Sequence, residues 1–139
     1  MDSKKLGLLS QIYTNQNVLD AALNRIRRLY DEFEEVIVSF SGGKDSTVTL
    51  ELAAIVAKEK NRLPLHVVFI DQEAEWEGTI DYVKEVMNRD YIKPMWFQMP
   101  MVITNNASID ERYCYCWQEG KEEEWIHEKN PLSIKENVS

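Results

Sequence analysis

Apolar residues recur along this chain at two different periods. Leu6, Leu9, Ile12 and Tyr13 follow helical spacing, as do Val18, Ala22, Ile26, Leu29 and Phe33. Residues 4–34 are therefore expected to be largely helical, with a break between Thr14 and Asn17. The pattern then shortens. Glu35 to Phe40 reads as a strand, and a helix from Ser46 to Glu59 turns Val48, Leu52, Ile55 and Val56 inward before Asn61 to Pro64 stops it. Leu65 to Ile70 is almost continuously apolar, as in a parallel strand covered on both faces, and Asp71 ends it. Gly78 to Arg89 carries Ile80, Val83 and Met87 at helical spacing, and Pro94 to Met99 reads as a third strand bounded by Pro94 and Pro100.

This order is a helix followed by βαβαβ. Right-handed crossovers make the three strands parallel, in order 3-2-1, with ligands expected at their carboxyl ends. Beyond Pro100 the regularity fails. Val102 to Tyr115 reads as a polar loop, Gln118 to Lys129 as a helix stopped by Asn130-Pro131, and Leu132 to Ser139 as a tail too short and polar to add much core. The chain shows no internal repeat or low-complexity linker.

At 139 residues with 44% hydrophobic content, the chain suits one domain that buries roughly two-thirds of its unfolded surface. A formal net charge of -8 disfavours a general nucleic-acid surface, which needs clustered cations. Arg25, Arg27 and Arg28 are a local exception; Arg25 and Arg28 share a helix face, read either as a solvated stripe or as an anion site. No apolar run approaches the roughly 20 residues of a membrane span. Two cysteines are too few for a disulfide framework and no charged leader opens the chain, so a soluble, reducing, cytoplasmic setting is expected.

Candidate chemistry concentrates in the run from Val36 to Thr47, where an apolar strand leads into a glycine turn and then a helix start. Paired Gly42 and Gly43 let backbone amides approach an anion. The following helix N-terminus adds unpaired donors and a favourable dipole. Ser39, Ser41, Ser46 and Thr47 add hydroxyls, and Lys44 adds charge. The loop GxxxxGK[ST] does not fit, because Val38 stands where its first glycine belongs and Asp45 follows Lys44. GxGxxG is also absent. Asp45 is unusual beside a polyanion, since a carboxylate there is repulsive unless a cation such as Mg²⁺ intervenes. Its alternative role is to cap the helix.

Ser41-Gly42-Gly43-Lys44-Asp45-Ser46 after a buried strand resembles the pyrophosphate-binding PP-loop of the ATP pyrophosphatase superfamily, which includes the phosphoadenosine phosphosulfate (PAPS) reductases. That resemblance implies a three-layer, Rossmann-like adenine nucleotide alpha hydrolase fold, with residues 1–34 as a helical segment, 35–131 as the nucleotide-binding domain and 132–139 as a tail. It implies ATP or a related adenine nucleotide as ligand, held by Ser39, Ser41, Gly42, Gly43, Lys44, Ser46 and Thr47. Lys44 and Asp45 would serve catalysis, and Asp45 would hold Mg²⁺. Cleavage of ATP to AMP and pyrophosphate is the implied reaction. By the same analogy Phe69, Ile70 and Asp71 lie near adenine; otherwise Asp71 caps a turn and Trp76 packs. The following segment resembles the reductases too, with Gly78 in place of the glutamate of their Glu-Thr pair.

Trp117, Trp125 and the run to Pro131 resemble a phage- and prophage-associated branch of reductase-like proteins. The reductases carry a reactive cysteine in a C-terminal Glu-Cys-Gly motif, which Pro131 to Ser139 lacks, so PAPS reduction through Cys114 or Cys116 is an alternative and a non-catalytic nucleotide-sensing or assembly subunit is another. Cys114 and Cys116 with His127 fall short of the roughly four ligands of a zinc site, and no iron-sulfur cluster is expected. His66 reads as a packed strand residue, His127 as a surface helix residue, and Glu122 to Glu124 as a solvated face. The superfamily has five or so strands, and this chain is expected to stop before the later ones. The first-strand edge would then need cover from the N-terminal helix, the Trp-rich segment, a second copy in a homo-oligomer or a partner subunit.

Overall fold

Asn17 starts the first helix by accepting a hydrogen bond from the Asp20 amide at 2.8 Å, which satisfies a donor of the opening turn. The computed structural model describes residues 15–136, so the helical expectation for residues 4–14 lies outside it. Helix α1 (Val18–Glu32) leads to strand β1 (Ile37–Ser39), helix α2 (Lys44–Glu59), strand β2 (Leu65–Ile70), helix α3 (Glu77–Met87) and strand β3 (Ile92–Phe97). The strands form a parallel sheet in the expected order, with β2 central. This is the α/β, Rossmann-like arrangement.

Register assigns each strand residue to a face. Ile37, His66 and Lys93 pair in one row, and Val38, Val67 and Pro94 in the next. Val38, Phe40, Leu65, Val67, Phe69, Ile92 and Trp96 point toward α2 and α3 and make the core with Leu50, Ala53, Val56, Ala57, Ile80, Val83, Val86 and Met87. Two same-direction right-handed crossovers put both helices on that one side. The other face carries Ile37, Val68, Ile70, Met95 and Phe97, and both Ile37 and Ile70 are 54% exposed. The nearly continuous apolar run of β2 thus meets helices on one face only among the described residues.

Helix α2 turns a different stripe inward from the one expected. Val56 is buried, but its companions are Leu50, Ala53 and Ala57, while Val48 and Ile55 are exposed. The alanines supply the small surface that lets the helix lie close to the sheet. Strand β3 begins two residues before Pro94, which sits inside it. Leu65 N bonds Tyr91 O and Asp71 N bonds Phe97 O, so odd residues of β3 face β2 and the Pro94 nitrogen points outward, where a missing N–H breaks no ladder bond.

After Pro100 the chain is more ordered than its polarity suggests. Strands β4 (Met101–Thr104) and β5 (Tyr113–Cys116) pair antiparallel, with Met101, Ile103, Cys114 and Cys116 sharing the more buried face. The expected helix over 118–129 is absent. Only Glu122–Glu124 makes a 3-10 turn, and Trp117 and Gly120 take left-handed φ values of 54° and 77°. Distant side chains pin this stretch instead: Glu73 accepts from Trp117 N just before it and Ile126 N within it, and Gln98 accepts from Asn130 N just after it. The tail contributes more than expected, because Ile134 N donates to Trp96 O and Gln98 N to Ile134 O, extending the outer edge of β3. Residues 117–134 therefore form a strap on the β3 side. That placement removes the Trp-rich segment as a cover for the β1 edge.

Arg62 joins α1 to the sheet by donating to the carbonyls of Tyr30 at 2.8 Å, Phe33 at 3.0 Å and Glu34, with its guanidinium 4.7 Å from the Tyr30 ring centre. Arg62→Met keeps the stem and deletes these charged donors. Urea unfolding followed by circular dichroism is expected to show a loss of about 1.5–3 kcal/mol; unchanged stability would contradict this linking role.

Candidate functional site

The loop between β1 and α2 is shaped by one residue that cannot carry a side chain. Gly42 has φ +73°, and a Cβ there would stand 2.8 Å from Thr79 Cγ2 and 3.2 Å from Val83 Cγ2. The loop thus lies against the first turns of α3 as well as at the start of α2. Gly43, with φ −82°, is the N-cap of α2 and has no side-chain capping bond. Asp45 therefore stands in the first turn instead of capping it, and it is exposed.

Hydroxyls lock this loop from inside. Ser46 Oγ donates to Gly43 O at 2.9 Å, Thr47 Oγ1 donates to the same carbonyl at 2.8 Å, and Ser41 Oγ donates to Ser46 Oγ at 3.0 Å. Thr47 N closes the first helical bond on Gly43 O. The amides of Lys44, Asp45 and Ser46 precede that bond and have no carbonyl within the helix to meet. They open α2 just past the carboxyl end of β1, and Lys44 is exposed there. Ser39 lies elsewhere, on the open sheet face in register with Val68.

At the end of β2 the structure builds a different feature. Asp71 has 0% exposure; its Oδ1 accepts from Glu73 N at 2.8 Å, and its Oδ2 accepts from Trp96 Nε1 at 3.0 Å and Gln98 Nε2 at 2.8 Å. Its carbonyl accepts from Trp117 Nε1 at 2.7 Å. Of the two readings for this segment, Asp71 does close a turn, but Trp76 is 83% exposed and packs little. Phe69 is core, edge-on to Trp96. Ile70 is the exposed member of the trio, and the last β1–β2 bond joins Phe40 N to Val68 O, leaving the Ile70 backbone on that side past the end of β1.

His127 is not a surface helix residue. It sits half-buried in the strap, its ring 5.0 Å from Trp117 and its Nε2 3.4 Å from Asp71 Oδ1 without hydrogen-bond alignment. Nearby, Glu75 is pushed above the usual carboxylate range by burial and by the Asp71 charge, an effect that His127 opposes. Glu73, Gln98, Thr79 and Trp117 escaped the sequence reading as site-building residues. Their available signal was polar Gln98 directly after an apolar strand and the alternation of Asp71 with Glu73. Arg28 pairs with Glu32 one turn on along α1, as a solvated stripe would, whereas Arg27 crosses to Glu59 of α2.

Among the described residues, no group of three or more His, Cys, Asp or Glu side chains could hold a metal, and no helix is long and apolar enough to cross a membrane. Cys114 and Cys116 are free thiols. Burial, and secondarily the Glu73 charge, pushes the Cys116 thiol up, so it holds less thiolate at neutral pH than an ordinary cysteine.

Gly42→Ala is expected to destabilise the fold by about 1–3 kcal/mol through its left-handed backbone and the Thr79 clash. Gly43→Ala meets only Ser41 Oγ at 3.5 Å and is expected to melt close to wild type. Equal melting temperatures for the two variants would contradict this geometry. Iodoacetamide at pH 7.5 is expected to label Cys114 before Cys116, read by peptide mass mapping; the reverse order would contradict the protected thiol.

A family model, the phosphoadenosine phosphosulfate reductase domain, matches residues 35–124. The chain is 35% identical over 115 residues to the uncharacterized protein YbdN of Escherichia coli (strain K12), a match covering 81% of this chain and 28% of that protein. It is 38% identical over 87 residues to the uncharacterized protein MJ0066 of Methanocaldococcus jannaschii, covering 59% and 17%. A sulfate adenylyltransferase subunit 2 of Mycolicibacterium vanbaalenii is 45% identical over 59 residues, covering 42% and 19%. The chain thus spans less than a third of each relative. No solved structure matches it at a significant level. With a matched model over the sheet, the glycine loop and the post-β2 segment, the chain belongs to the phosphoadenosine phosphosulfate reductase domain family.

Proposed function

We propose that this chain binds ATP or a related adenine nucleotide, with the phosphates on loop 41–47. The observation that carries the reading is Gly42, whose left-handed, side-chain-free backbone brings the loop against α3 while α2 opens with unpaired amides. Family membership supports the same ligand class. Because the hydroxyls of Ser41, Ser46 and Thr47 already donate within the loop, backbone amides and Lys44 are the first phosphate donors, and the hydroxyls hold the loop in shape. Adenine would rest against the backbone and exposed side chain of Ile70, while Phe69 and Asp71 support it from behind.

Asp45 fits a Mg²⁺-nucleotide. Its exposed carboxylate has no hydrogen-bond or ion-pair partner among the described residues, and Mg²⁺ is commonly held by one or two carboxylates plus phosphate oxygens. When bound, the ion would neutralise phosphate charge. In the cleavage reading, an acceptor attacks the α-phosphorus and pyrophosphate leaves onto the loop amides and Lys44, which stabilise its growing charge. The likeness to a protein named sulfate adenylyltransferase subunit 2 favours this reading over reduction, as does the protected Cys116 thiol.

A nucleotide-sensing or assembly role is the second reading, favoured by the open sheet face and the exposed β1 edge at Ile37. A second copy, a partner subunit or further chain of a longer protein would cover them. The resemblance of Trp117, Trp125 and the run to Pro131 is what suggests the phage- and prophage-associated branch, and two free thiols suit a reducing cytoplasm.

Calorimetric titration with ATP, with and without Mg²⁺, tests the site. Wild type is expected to bind more tightly with Mg²⁺. Gly43→Asp is expected to weaken binding at least about 100-fold by setting a carboxylate at the anion cradle, roughly 3 kcal/mol. Asp45→Ala is expected to lose the Mg²⁺ enhancement. Equal affinity in all three proteins would overturn the site.

A further inference from the structure

Segment 71–79 touches the phosphate loop at one end and the strap at the other. At the strap end, Glu73 is buried and has φ +66°, a left-handed backbone that costs a non-glycine residue energy. Its carboxylate accepts from Trp117 N at 2.5 Å and Ile126 N at 3.2 Å. Trp117 is itself left-handed, wholly buried and bonded through Nε1 to Asp71 O. Two strained residues thus hold each other in place. From Glu73 the chain passes through tight bonds, Ala74 N to Gln72 O and Glu75 N to Glu73 O, to Trp76, whose carbonyl starts α3 by accepting from Thr79 N and Ile80 N. At the loop end, Thr79 lies so close to Gly42 that a Cβ would overlap it.

We infer that strap docking and nucleotide binding are coupled, with Glu73 as the positioning residue that transmits the coupling; this rests on the nucleotide reading above. Releasing the Glu73 carboxylate frees the 73–76 turn, shifts the first turn of α3 and removes the wall that holds Gly42 in its phosphate-ready form. The relation is reciprocal: a ligand that fixes the loop must also tighten the strap by the same factor. No contact between strap and nucleotide is required.

Hydrogen exchange at the Trp117 and Ile126 amides, with and without saturating Mg²⁺-ATP, reads this coupling in the unmodified chain. Nucleotide is expected to slow both amides by about threefold or more, matched in calorimetry by an about threefold or larger loss of ATP affinity in Glu73→Gly, which relieves the strained φ while deleting the carboxylate. Glu73→Gln, retaining an acceptor oxygen, is expected to fall between. If wild type binds ATP while both amides exchange at unchanged rates, the coupling is refuted and the nucleotide site stands. If wild type does not bind ATP, both are refuted. The wild-type exchange result decides the matter even if the variants fold poorly.

Discussion

A carboxylate with no exposed surface, at the end of the central strand, is the constraint around which this fold is arranged. Burying an ionised group costs several kcal/mol unless hydrogen bonds replace its hydration. Asp71 obtains them from Glu73 N, Trp96 Nε1 and Gln98 Nε2, three donors on two stretches of chain. Those donors fix the turn after β2, the end of β3 and, through the Gln98 bond to Asn130 N, the strap. Glu73 repeats the device one turn outward. Without a regular helix, the strap is held by side chains at its Trp117, Ile126 and Asn130 amides.

From that anchored edge the rest of the site follows. Helix α3 starts at a fixed position, its first turn meets the loop after β1, and Gly42 is required because the two backbones approach too closely for a Cβ. The hydroxyls of the loop spend their hydrogens on Gly43 and on one another, so rigidity is built in before any ligand arrives. The opposite sheet face shows the reverse character. Its apolar residues are paired in the ladder but uncovered by the described helices.

Much of this was legible in the sequence. The βαβαβ order, the parallel sheet and the glycine loop follow from periodicity and turn chemistry, which are local properties. What was not legible depended on distant partners. Residues 118–129 were expected to be helical, yet Glu73 captures the Ile126 amide within them and the Trp117 amide just before, and Gln98 captures the Asn130 amide just after. Asp71 reads either as a residue near adenine or as a turn cap, and nothing local reveals that Trp96 and Gln98 will bury it. Val48 and Ile55 were expected inside, but the alanine stripe of α2 permits the closer packing. The hairpin was hidden by its polar connection, and its inward alternation of Met101, Ile103, Cys114 and Cys116 was the missed signal.

Phosphate binding at the loop after β1 can be read by amide-resolved NMR during titration with Mg²⁺-ATP. The largest, saturable shifts are expected at Gly42, Gly43, Lys44, Asp45 and Ser46, with pyrophosphate alone reproducing them and leaving Ile70 unmoved. Saturable binding that shifts only residues away from the loop, or no shift at all, would contradict it.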